Sequence, residues 1–170
     1  MSLRFMKHFL ASAFAVLLLL GASAVTNAME DESEDSQIPI NRRATVEAWD
    51  ALREGDPARA IANANECIDR FRKPADTIQS ILEQQKAVLP AGDITGAERA
   101  RIDRYQILHD VAACLLIKGW AEEKQGRNAA AFAAFEEARK YTYARVTGEP
   151  NTNYWSAAEV AAEASRRLKP

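Results

Sequence analysis

Glycine (7) and proline (6) are scarce in this 170-residue chain, and cysteine occurs only twice. The first scarcity excludes collagen-like and low-complexity architectures, and the second excludes a disulfide scaffold. Neither sign of charge dominates: 22 basic side chains face 24 acidic ones. The formal charge of −2 gives no global reason to bind nucleic acid. A phosphate-cradling glycine loop, a nucleophile elbow and a dinucleotide fingerprint are all missing. His109 is the sole histidine after residue 28, and neither cysteine stands at zinc-motif spacing from it, so no metal or cofactor is expected. As a catalytic base it would need a nucleophile that the sequence does not offer. Beside an apolar stripe, one turn after Tyr105, it reads as a partly buried structural side chain. The adjacent acids Glu122-Glu123 and Glu136-Glu137 point to different sides of a helix and read as solvated faces rather than a glycosidase pair. No enzymatic activity is expected.

What is present begins with an address. Arg4, Lys7 and His8 precede a run from Phe9 to Leu20 that is apolar except for Ser12, and small residues follow. This is the pattern of a secretory signal peptide over residues 1–28, with cleavage after Ala24 or Ala28. An uncleaved anchor is the competing reading, but spanning a bilayer takes about 20 apolar residues. The expected location is therefore periplasmic or secreted, with membrane contact only during export.

Removing residues 1–28 takes away two bases and no acid, which moves the formal charge from −2 to −4. Five acids, Glu30, Asp31, Glu32, Glu34 and Asp35, then open the chain, and without them the remainder is +1. Residues 29–40 read as a disordered acidic leader. A calcium loop would need a turn glycine and regularly spaced ligands.

Residues 41–170 form one domain of strong helix formers, with no alternating stretch that suggests a strand. Asn41 is placed to cap a helix that Gly55 ends. Asp56-Pro57 opens the next, to about Phe71, and Pro74 opens a third, to about Leu89. Thr95 and Glu98 form a capping box for a long helix to about Gln125, and Asn128 caps another to about Tyr143. Gly148, Glu149 and Pro150 then break the chain, and Ser156 with Glu159 caps the last helix. Six antiparallel helices result.

Two segments repeat one spacing at an offset of 71. Ala48-Trp49, Gly55, Ala60-Ile61 and Cys67 match Gly119-Trp120, Gly126, Ala131-Phe132 and Ala138. Small residues at these intervals let two helices approach closely, and the glycine takes the left-handed conformation that ends the first of them. With Phe135, these residues resemble the tetratricopeptide repeat (TPR) family. The offset is three longer than two standard repeats of about 34 residues. The early aromatic of that family is replaced by Ala51 and Glu122, and its closing proline by Arg72 and Tyr143. The resemblance implies an all-α fold, a short irregular TPR-like solenoid whose last helix is a cap. It also implies a protein or peptide partner and a role as adaptor or scaffold in a cell-envelope complex. A small helical carbohydrate- or peptidoglycan-acting hydrolase and a self-assembling structural subunit are the alternatives, so oligomerisation stays open.

In that family the side of the first helix bearing Trp49 and Arg53, and in the second copy Trp120 and Lys124, faces the groove. An aromatic beside a cation on each wall suits an extended peptide. Core packing is the other role open to the tryptophans. Cys67 and Cys114 are a candidate disulfide if the chain is exported, or two buried thiols acting as small hydrophobes.

Overall fold

A computed structural model describes residues 39–94, 96–147 and 153–168. The signal segment, almost all of the acidic leader, Thr95 of the first capping box and the Gly148-Glu149-Pro150 break lie outside the described residues.

The fold is mainly helical: α1 (Ile40–Arg53), α2 (Pro57–Gln84), α3 (Gly96–Asp103), α4 (Gln106–Lys124), α5 (Asn128–Ala138) and α6 (Ala157–Leu168). Helix α4 is its axis. Residues 108–117 are all buried, because α1, α2, α5 and α6 surround it. Apart from His109 and Asp110 this stretch is apolar on every side, and such a helix is stable only when surrounded. No described helix is long and apolar enough to cross a membrane.

The hairpins α1–α2 and α4–α5 end their first helices identically. Gly55 and Gly126 have φ of +79° and +72°. In the first, the amide of Asp56 donates to the Ala51 carbonyl (2.9 Å) and that of Gly55 to Leu52 (3.3 Å). In the second, Arg127 donates to Glu122 (3.0 Å) and Gly126 to Glu123 (2.9 Å). Both are Schellman closures, which pair orphan carbonyls at the helix end. Ala48, Ala60, Cys67, Ala131 and Ala138 are fully buried, as close approach requires. At Gly119 an added Cβ would lie 2.4 Å from the Phe135 ring, so only glycine fits there.

Six helices are present among the described residues, but their division differs from the expected one. Asn41 lies inside α1 and makes no cap; Pro39 precedes the helix, without a side-chain cap bond. Asp56 does cap α2, its Oδ1 accepting the Arg59 amide at 3.0 Å. Helix α2 then runs through Pro74 for 28 residues. Proline removes one ladder bond there, but Ala60, Ala64, Cys67 and Ile68 before it and Ala75, Gln79 and Leu82 after it all bury. Packing of both halves outweighs the break. The expected helix to Gln125 instead splits into α3 and α4 at Arg104-Tyr105, where the Tyr105 amide donates to Ile102 (2.9 Å).

Helix α5 ends at Ala138, short of Tyr143, and Arg127 rather than Asn128 precedes it. Ser156 acts as foreseen, its Oγ accepting the Glu159 amide at 3.3 Å.

The described residues also hold three short strands that the sequence pattern does not suggest. β1 (Gly92–Asp93), β2 (Arg145–Thr147) and β3 (Asn153–Ser156) form an antiparallel sheet in the order β1-β3-β2. Gly92 pairs with Tyr154, and Val146 with Trp155. The sheet fastens the α2–α3 connection to the α5–α6 connection, over a small cluster of Ile94, Ile102 and Tyr154.

Candidate functional site

Arg42, Thr45, Val46, Trp49 and Arg53 stand at intervals of three, four, seven and eleven along α1, and so share one face of that helix. They form one wall of a cavity of about 430 Å³. The facing wall is the first two turns of α4, with Gln106, His109, Asp110 and Ala113. Ile102 and Asp103 of α3, Val146 of β2 and Tyr154 of β3 close one end.

Asp110 sets the electrostatics. Its side chain is 1% exposed, yet its carboxylate is fully engaged. Oδ2 accepts Asn41 Nδ2 at 2.6 Å, and Oδ1 accepts Gln106 Nε2 at 2.8 Å and Arg42 at 3.4 Å. Burial pushes this carboxyl above the usual carboxylate range, while the bonds from Gln106, Arg42 and Asn41 pull it back. The network ties the start of α1 to the start of α4 and gives Asn41 its role.

His109 does not face the cavity as a free base. Its Nε2 meets the Ile102 carbonyl at 2.9 Å, and Nδ1 accepts the Arg145 amide at 3.1 Å. Because a carbonyl can only accept, these partners require the neutral tautomer with its proton on Nε2. Burial lowers the pKa to about 4, assisted by the charges of Arg145 and Arg42 and opposed by the bond to Ile102. The side chain is buried more deeply than the sequence suggests, 4% exposed.

Arg145 is likewise committed. Its guanidinium reaches the carbonyls of Pro90 (3.1 Å), Leu89 (3.1 Å), Thr142 (3.2 Å) and Ala144 (3.1 Å).

On the other side of Trp49 lies a shallow depression formed with Leu52, Trp120, Glu123 and Lys124. The indoles of Trp49 and Trp120 meet at 5.4 Å and 39°, and Trp120 stands edge-on to Phe135 at 6.3 Å. Both tryptophans are half-buried, part core and part surface. Of the four residues assigned to the groove, the structure brings the two tryptophans together. Arg53 lies at the cavity, paired with Asp50, and Lys124 lies exposed at the depression.

Cys67 and Cys114 also meet. The Thr45 hydroxyl lies 3.8 Å from one sulfur and 3.4 Å from the other. Both are buried free thiols, and burial pushes the Cys114 thiol far up. The paired acids are not all solvated faces: Glu122 is buried against Arg127, Glu123 pairs with Arg167 at 3.6 Å, and Glu137 with Arg72 at 2.6 Å. Among the described residues no three His, Cys, Asp or Glu side chains are grouped to hold a metal.

Sequence reasoning missed Arg42, Gln106 and Asp110, and gave Asn41 only the role of a helix cap. The available signal was Asp110 itself, an acid inside an otherwise apolar run with Gln106 one turn before it. No protein-family model, curated protein or solved structure matches this chain.

Proposed function

We propose that this chain is an exported, TPR-like interaction module, an adaptor or scaffold of a cell-envelope complex that binds a protein or peptide partner and performs no catalysis. The observation that carries the reading is the meeting of Trp49 and Trp120 at 5.4 Å. They hold equivalent places in the first helices of the two hairpins. Their open edge offers rigid aromatic area with a cation at each flank, the composition of an interface hot spot. The commitment of His109, Asp110 and Arg145 to internal partners favours binding over catalysis, since none of them is left to move a proton. Export rests on the sequence pattern of residues 1–28.

The test compares the chain lacking residues 1–28 with its Arg53→Glu/Lys124→Glu variant, both immobilised and exposed to the envelope fraction of the source cell. Both positions are exposed, so the variant should keep its circular dichroism spectrum. A protein retained by the first and lost by the second is the expected result. Equal retention by both removes this face from the interface.

A further inference from the structure

The cavity beside Trp49 carries a charge asymmetry with a chemical consequence. Three arginines line it, Arg42, Arg53 and Arg145, the last with its guanidinium held by backbone carbonyls, against two aspartates, Asp103 and Asp110. The deeper carboxylate is shut away: the Asp110 side chain is 1% exposed while its partner Arg42 is 45% exposed. Along α1 an entering group meets Arg42, 45% exposed although paired with the buried Asp110, and Arg53, 62% exposed and paired with Asp50, an exposed pair that a ligand carboxylate can exchange into. Between Arg42 and Arg53 the same face offers Val46, which is 37% exposed, and the half-buried Trp49. At 1.5 Å per residue, eleven positions separate the two arginines by about 16 Å along the helix. That is the reach of about five residues of extended chain. A compact metabolite does not bridge it, whereas the cavity itself has room for apolar side chains.

We infer that this cavity is the binding site for an extended acidic peptide segment, with carboxylates about five residues apart at Arg42 and Arg53 and apolar side chains between them against Val46 and Trp49. The inference rests on the interaction-module reading and names the class of partner. Opposite charges at the two ends fix register and speed encounter, and burial against the indole supplies the remaining affinity.

The probe is a blocked hexapeptide with glutamate at both ends and leucines at its centre, titrated into the chain lacking residues 1–28. Binding is read by calorimetry and tryptophan fluorescence. Saturable binding is expected. Arg53→Glu and Val46→Asp should each weaken it about tenfold or more, the factor that about 1.4 kcal/mol represents. Rising salt should weaken it too. The lysine-ended counterpart should bind at least about tenfold less tightly. Equal binding of the two peptides, indifference to both substitutions, or full displacement by free glutamate overturns the inference. The two ideas fail separately. A lysine-ended peptide that binds better, and gains from Val46→Asp, refutes the acidic ligand and keeps an interaction site here. Site-specific acidic binding together with envelope capture unaffected by Arg53→Glu/Lys124→Glu removes the Trp49–Trp120 face from the proposed interface and keeps the ligand.

Discussion

Protonating His109 means breaking a bond, because Nδ1 already accepts the Arg145 amide inside the core. Its pKa falls from 6.5 to about 4 in the fold, so the folded state prefers the neutral ring. The stability linked to that preference is whole above pH 6.5 and is lost as pH falls toward 4. It amounts to about 3 kcal/mol at most, at about 1.4 kcal/mol per pH unit. Asp110, next in sequence, acts the other way. Its raised pKa lets the fold take a proton above the ordinary carboxylate range, which returns some stability on acidification. Urea midpoints at pH 7 and pH 4.5 should therefore fall less for His109→Gln, which keeps a donor for Ile102 and cannot charge, than for the parent. Equal falls would place the titration elsewhere. The His109 role was legible from one flanking stripe; its two backbone partners were not, since Arg145 lies 36 positions away on a strand.

At the scale of the element, Pro74 is the clearest conflict between local preference and packing. It sits exposed within α2, where it forfeits a ladder bond to Arg70. Restoring the amide with Pro74→Ala should raise stability by about 1–2 kcal/mol. The helix-interior gain of about 3 kcal/mol is reduced by the freedom that the unfolded chain recovers. A higher melting temperature checks this; a lower one would mean that the ring packs in a way its exposure does not suggest. The same contest explains what could be read beforehand. Asp56, Gly55, Gly126 and Ser156 act through neighbours within a turn, and the residues alone announced them. The passage of α2 through Pro74 and the split at Tyr105 depend on α4, which no local pattern encodes. The strands are two to four residues long, and they pair Gly92 with Tyr154 across 62 positions, too short and too distant for any alternation to register.

At the scale of the molecule, the question is whether the two hairpins are independent. The α1–α2 hairpin has its own Schellman turn and its own small-residue contacts, so repetition alone would allow it to stand by itself. The burial argues otherwise. Cys67 touches the Asp110 carbonyl at 3.8 Å, Thr45 reaches both Cys67 and Cys114, and Asn41 gives its amide to Asp110. Each of these side chains has a partner on α4, and of these contacts only Thr45–Cys67 lies within the hairpin itself. Cut away from α4, the hairpin would expose Ala64, Cys67, Ile68 and Leu82 to water and leave a chain of about 50 residues with little core. A fragment of residues 39–89 should therefore show weak helical circular dichroism and no cooperative melt, while the whole chain unfolds in one transition by near- and far-ultraviolet signals alike. A fragment that melts cooperatively, or a parent with two separated transitions, would mean that each repeat carries its own core and that α4 only joins them.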